Sequence, residues 1–166
     1  MWVETVIYTL IGLSVIAVVL SAALPKIEEK QDSIVIEQSI EALRIIDSKI
    51  SQIKVAAGNR RIVDLEIESG ELIIDADKDE IRWVLDSSFA YSEEGVRVPL
   101  GSIDVLTVQD SGGYKVELIV PYTFDIQHDG RDVAKTFSVA PVPYRMVIEN
   151  VGLNVNNELI VNFVVS

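Results

Sequence analysis

The residues best placed to do chemistry are the aspartates of one short acidic run. Asp75, Asp77 and Asp79 occupy alternate positions, and Asp86 falls where a calcium loop of EF-hand type places its last ligand. Such a loop needs glycine at its sixth position, and Glu80 stands there instead. The flanking residues also alternate as in strands. We therefore interpret the run as an acidic loop between strands. The sequence predicts no metal site, and these four aspartates are its only candidate calcium ligands.

His128 is the only histidine of the chain and lies in the turn-like sequence His128-Asp129-Gly130. No Gly-x-Ser-x-Gly motif accompanies it, so a Ser-His-Asp triad is disfavoured, and we interpret His128 as a solvent-exposed turn residue. Thiol catalysis is excluded because the chain has no cysteine. Among 26 acidic residues some pair always resembles the catalytic carboxylates of a paired-carboxylate hydrolase. Such pairs are therefore not specific evidence for this class of enzyme. The sequence predicts neither an enzyme nor a cofactor.

The charge balance restricts the partners. The 166 residues suit one domain with an appendage, and 26 acidic residues against 14 basic ones give a net charge of −12. Nucleic acids and anionic lipid headgroups are bound by clustered Lys and Arg, which release counterions, and the sequence shows no such cluster. We therefore expect no nucleic-acid partner. The lack of cysteine also excludes disulfides and Cys-ligated zinc, but it does not identify the compartment.

The N-terminal segment Thr5–Leu24 contains no charged residue. Its 20 residues would reach about 30 Å as a helix, which matches the hydrocarbon core of a bilayer. Glu4 is the only charged side chain before Lys26. A cleaved secretory signal is disfavoured because it would begin with basic residues. The positive-inside rule gives no orientation, since Lys26 and Lys30 lie beside two glutamates.

After Pro25 the sequence becomes amphipathic, and apolar residues recur at steps of three and four. Gly58 and Asn59 stand where a left-handed C-cap is expected, so we predict one helix from near Trp2 to about Ala57, kinked at Pro25. One apolar stripe of its second half is predicted to pack on a sheet of the same domain. The stripe consists of Ile36, Ile40, Leu43, Ile46, Ile50 and Ile53.

Beyond Gly58 the apolar residues alternate with a period of two, which indicates strands. About eight or nine strands in this length predict an antiparallel sandwich of immunoglobulin-like type, so the fold class is α+β. We divide the chain into the helix, 1–58, and the sandwich, 59–166, packed as one unit. The predicted hairpins are Val63–Ile67 with Leu72–Ile74, Ile103–Val108 with Tyr114–Val120, and Tyr122–Gln127 with Lys135–Val139. The last two predicted strands are Tyr144–Ile148 and Leu159–Val165.

A charge-free first helix half with an early glutamate, a proline near its end and a β-rich C-terminal domain resembles the type IV pilin superfamily. The sandwich points to its archaeal pilin and archaellin branch. Glu4 matches the family's glutamate, Val6–Leu24 its core helix and Pro25 its helix-kinking proline. The resemblance implies that the apolar half-helices bundle into a filament core and that Glu4 offsets the α-amino group of a neighbouring subunit. The implied assembly residues are Glu4, Val6, Leu10, Gly12, Leu13, Ile16, Leu20, Leu24 and Pro25.

The function implied by this resemblance is that of a structural subunit of a pilus-like filament on the cell surface, with a role in adhesion or attachment. Its partners would be other copies of itself, the membrane before assembly and the pilus assembly machinery. Two features depart from the family pattern: no basic leader precedes Met1, and Glu4 lies one residue early if Met1 is the mature end. The chain is therefore either already processed or an unprocessed relative. The sequence leaves open a second function, a single-pass membrane anchor that carries an extracellular β-sandwich binding or accessory module.

Overall fold

The structure is a computed structural model that describes residues 2–166. Met1, which the sequence analysis left open as a mature N-terminus, lies outside the described residues. Within residues 2–166 one long helix precedes ten strands. The elements are α1 (Trp2–Ile53), β1 (Arg60–Leu65), β2 (Glu71–Asp75), β3 (Glu80–Ser87), β4 (Arg97–Leu100), β5 (Ile103–Asp110), β6 (Gly113–Pro121), β7 (Asp125–His128), β8 (Lys135–Ser138), β9 (Tyr144–Leu153) and β10 (Leu159–Val165).

Helix α1 has 52 residues and would extend about 78 Å at 1.5 Å per residue. Pro25 lies inside it, and the helix continues through this residue. The helix ends at Ile53 rather than near Ala57, because a distant side chain caps it. The Asn150 side-chain amide donates a hydrogen bond of 2.9 Å to the Ile53 carbonyl. Gly58 has the expected left-handed φ of +83°, but it belongs to the turn that follows the helix.

The strands form two sheets. The four-stranded sheet has the order β1-β9-β10-β7 and the six-stranded sheet has the order β4-β5-β6-β3-β2-β8. Every pairing is antiparallel except that of β10 with β7, which is parallel. The predicted α+β fold with a β-sandwich is confirmed. The structure adds β4, a four-residue edge strand containing Pro99, which the sequence prediction missed.

Of the three predicted hairpins, only β5–β6 is confirmed. The predicted pairing of the first two strands was wrong, because β1 pairs with β9 and β2 pairs with β3 and β8. Between them Gly70 takes a φ of +74°, and any Cβ there would collide with the Val84 carbonyl. The Ser69 carbonyl accepts a hydrogen bond of 3.1 Å from the Trp83 indole. The Ser69-Gly70 turn thus carries the chain from one sheet to the other.

The pairing predicted for Tyr122–Gln127 with Lys135–Val139 was also wrong. Strand β7 joins the four-stranded sheet through β10, whereas β8 lies at the edge of the six-stranded sheet. After β7 the backbone of Arg131 turns back to hydrogen-bond both polar groups of the His128 backbone, at 2.9 and 3.1 Å. Strands β10 and β2 supply the backbone partners that the two strands of the predicted hairpin would have supplied to each other.

One continuous core joins both sheets and the second half of α1. In the six-stranded sheet an apolar row runs through Phe137, Leu72, Trp83, Leu118 and Val105, which are cross-strand neighbours. The helix contacts β1 and β9 of one sheet and β3 of the other. The six stripe residues named above are 0–4% exposed. Helix and strands therefore share one hydrophobic core.

Candidate assembly segment

The stem, defined as Thr5–Leu24, is the part of the described chain that its own fold leaves uncovered. Its large apolar side chains are 49–74% exposed, and they point to every side of the helix. An 18-residue window of α1 is long and apolar enough to cross a membrane, and none of it is buried. A helix that is apolar on all sides is suited to apolar surroundings on all sides.

Three hydroxyl groups of the stem, those of Thr9, Ser14 and Ser21, bond to the helix itself. Thr9 Oγ1 donates to the Thr5 carbonyl at 2.8 Å, and Ser14 Oγ donates to the Leu10 carbonyl at 2.7 Å. Ser21 Oγ makes the corresponding bond three residues back, at 2.9 Å. These three hydroxyls need no water, so the stem is compatible with dry surroundings formed by lipid or by other helices.

Gly12 has no role in the fold of the single chain. A Cβ built at this position meets no atom within 4 Å. Glycine inside a helix costs about 1 kcal/mol relative to alanine, so its use here has no intramolecular explanation. Small residues of this kind allow helix backbones to approach each other closely in apolar surroundings.

The residues that the resemblance assigns to assembly lie along the helix rather than in a pocket. Glu4 lies in the first turn, where a carboxylate interacts favourably with the helix dipole. Gly12 and Pro25 are exposed. The six apolar members are 52–58% exposed, namely Val6, Leu10, Leu13, Ile16, Leu20 and Leu24. None of them contributes to the core of the described chain.

Polar contacts at two more positions, besides the Asn150 cap, fix the second half of the helix to the sandwich. Asp32 accepts hydrogen bonds from the Ser88 backbone amide at 2.7 Å and from the Ser88 hydroxyl at 2.6 Å. About four turns further along, Asp47 accepts a hydrogen bond of 3.0 Å from Ser102. Together with the Asn150 cap at Ile53, these contacts hold the helix along its length.

The four candidate calcium ligands do not come together. Asp75 accepts a hydrogen bond of 2.8 Å from Arg82, and Asp79 accepts one of 2.9 Å from the Ile126 amide. Asp86 lies at the far end of β3, about 20 Å from the Asp75 loop at 3.3 Å per residue. Within residues 2–166 no group of three or more His, Asp or Glu side chains could hold a metal ion.

The structure does gather carboxylates that the sequence analysis did not group. An open pocket of about 550 Å³ is lined by Asp77, Asp79, Asp125, Asp132 and Glu158. Burial raises the pKa of Asp125, and the nearby charges of Asp132 and Asp79 raise it further. These residues lie up to 81 positions apart in the chain, so no local sequence pattern could have grouped them.

The prediction of an exposed turn for His128 was wrong. The residue ends β7, where it lies beside Phe163 in the parallel register, and its side chain is only 13% exposed. Its ring packs at 5.8 Å from that of Phe137, and Nε2 is buried without a hydrogen-bond partner among residues 2–166. The turn begins one residue later than predicted, so His128 belongs to the packing between the two sheets.

Comparisons with known proteins do not add a family to this description. No family model, curated protein or solved structure matched the chain.

Proposed function

We propose that the protein is the structural subunit of an extracellular type IV pilus-like filament. In this proposal the stems form the filament core and the β-sandwiches form its outer surface, with a role in adhesion or attachment. One observation carries the proposal: a single helix is bare on every side over its first half and fixed into the sandwich over its second half.

The bare stem needs apolar surroundings that the chain itself does not supply. Burying one large aliphatic side chain contributes about 1.5–3 kcal/mol, and the stem exposes a dozen large apolar side chains. Both lipid and a bundle of other stems would provide such surroundings. The stem therefore lies in the membrane before assembly and in the filament core afterwards, and the transfer requires an assembly machinery.

Two features favour the filament over a permanent anchor. The helix passes from stem to sandwich without a flexible linker, so each copy presents its sandwich at a fixed position relative to its stem. A repeating structure requires such a fixed geometry, whereas an anchored module does not. Gly12 provides space for close helix contact that the single chain leaves unused.

Glu4 gives the proposal its electrostatic basis. In a filament each N-terminus is surrounded by neighbouring helices, where an unpaired α-ammonium group costs several kcal/mol. Glu4 is the only acidic side chain before Glu28 and can offset that charge in a neighbouring copy. At a membrane surface the same carboxylate would be solvated, and its interaction with the helix dipole would contribute only about 0.3–1 kcal/mol.

The test is electron microscopy of the purified native protein, followed by filament yield for Glu4 variants. We expect helical filaments from the wild type. Glu4→Gln should be expressed in the membrane but should reduce filament yield at least tenfold, and Glu4→Asp should be intermediate because its side chain is shorter. Glu28→Gln makes the same chemical change outside the stem and should assemble normally. Filaments are measured by shearing and sedimentation beside the membrane-bound pool.

One result would contradict the proposed filament, and another would remove only its electrostatic basis. Detergent-dependent wild-type monomers without filaments would favour the anchored module. Wild-type filament yield from Glu4→Gln would leave the filament in place but remove the role of this carboxylate.

A further inference from the structure

The two sheets of the described chain end in four edge strands, and three of these edges are protected from pairing with another chain. In β4, Pro99 has no backbone N–H to donate. At β7 the Asp79 carboxylate accepts a hydrogen bond of 2.9 Å from the Ile126 amide, and Arg131 occupies both polar groups of the His128 backbone. Strand β1 packs against helix α1.

The fourth edge strand, β8, has no comparable protection. Within residues 2–166 the only strand that pairs with it is β2. At its end the Ser138 carbonyl accepts a hydrogen bond of 2.9 Å from the Tyr144 hydroxyl, and a carbonyl oxygen can accept a second one. Lys135, Thr136 and Ser138 are exposed, whereas Phe137 is buried in the core. Strand β8 is therefore the open edge of the sandwich.

The segments on both sides of β8 expose apolar side chains. Val133 before the strand is 55% exposed, and Val139 after it is 57% exposed. Residues 133–143 contain no acidic residue, and Lys135 is their only charged residue. Two copies that each carry a net charge of −12 repel each other, so a contact between copies is favoured where acidic side chains are absent. Strand β8 and its flanks meet this condition.

We infer that β8 of one copy pairs antiparallel with β8 of a second copy about a two-fold axis, so that two six-stranded sheets join edge to edge. The other three edges of the second copy are protected, which leaves β8 as the open edge that it can supply. This contact does not involve the stem and goes beyond the proposed function.

The sequence around β8 is suited to pairing with itself. With Thr136 on the two-fold axis, antiparallel pairing sets Val133 opposite Val139 in both halves of the contact and Lys135 opposite Phe137. Each exposed valine is then covered by another, and no like charges lie directly opposite each other. Opposite residues differ by an even number of positions, so the inner faces of both sheets stay on the same side.

The β8 edge lies away from α1. The helix contacts β1, β3 and β9, and β2 separates β8 from β3. In the proposed filament the stems form the core, so the β8 edge faces outward and meets the corresponding edge of an antiparallel filament. A contact through one four-residue strand is weak, but its repetition along two filaments adds avidity. The expected consequence is side-by-side bundling of filaments.

The experiment uses the full chain as a detergent-solubilised monomer, in which no native cysteine competes. Thr136→Cys places a thiol on the two-fold axis, and Thr123→Cys makes the same change at an exposed threonine outside β8. Under mild oxidation we expect disulfide-linked dimers to form at least tenfold faster from Thr136→Cys than from Thr123→Cys.

Further variants test the register. Val133→Cys and Val139→Cys, when mixed, should crosslink with each other at least tenfold faster than either does with itself, because only opposite positions come close. Val139→Lys should slow the crosslinking of Thr136→Cys, because a solvated charge replaces an apolar contact. Val155→Lys makes the same change at a fully exposed valine between β9 and β10 and should leave the rate unchanged.

Crosslinking of Thr136→Cys at the rate of Thr123→Cys would overturn the inference, and the open edge would then be left for a strand of a different protein. Self-crosslinking of Val133→Cys as fast as the mixed reaction would also overturn it, because it would indicate random collisions. Neither result bears on the filament, which the Glu4 variants test. Absence of wild-type filaments would remove the bundling but not the β8 contact, which is measured on monomers.

Discussion

The two halves of α1 have the same backbone conformation, but only the second half packs against the rest of the chain. In the second half Ile46 and Ile50 are 0% exposed and belong to the core. In the first half Leu13 and Ile16 are 58% and 56% exposed. The backbone hydrogen bonds of a helix are satisfied within the segment in either case, so helix formation does not require that both halves be packed.

The comparison shows which half depends on its environment. The second half gains stability from tertiary packing, which supplies most of the stability of helices in proteins. The first half has no such packing within residues 2–166, so any stability from packing would have to come from its surroundings. The folding unit of the chain should therefore begin after the stem, and the following predictions test that boundary.

The largest expected effect is on solubility. A fragment from Lys26 to Ser166 should be soluble without detergent and should melt in one cooperative transition, because the stripe residues and both sheets remain complete. The full chain should require detergent under the same conditions. Sedimentation and circular dichroism on both proteins give the result, and an aggregated fragment without a melting transition would place the boundary elsewhere.

The next effect concerns matched isoleucines in the two halves. Ile46→Ala should lower the free energy of unfolding by about 2–5 kcal/mol, because it leaves a cavity in the core. Ile16→Ala should change it by less than about 0.5 kcal/mol in the detergent-solubilised monomer, because nothing packs on that side chain. Thermal unfolding of both variants provides the measurement. Equal losses would mean that the stem also packs within the monomer.

The smallest expected effect comes from the polar contact where the helix first meets the sandwich. Asp32→Ala removes the acceptor of two Ser88 hydrogen bonds and should cost about 0.5–1.5 kcal/mol. Glu28→Ala removes an exposed carboxylate one turn earlier and serves as the control, with little effect expected. If the melting temperatures of the two variants agree, the Asp32 contact does not contribute to fixing the helix.

The sequence alone predicted the helix and its two contrasting halves. The stem was predicted from an uncharged run of residues. The six stripe residues were predicted from their spacing, because side chains three and four residues apart lie on the same face of a helix. Strand positions were predicted by the same local logic with a period of two, as for Val63 and Leu65 in β1. Local periodicity identifies an element and the face that it buries.

Only the tertiary structure decided which elements meet. Arg60 pairs with Glu149, 89 residues away, although the apolar strand residues Leu72–Ile74 lie much nearer in sequence. Alternation specifies which side chains face the core but not which strand supplies the hydrogen bonds, because every strand offers the same backbone groups. For the same reason the burial of His128 and the carboxylates gathered around Asp125 had no signature in the sequence. Both depend on segments brought together by long-range pairing, and the energies that select one pairing over another are properties of the whole core.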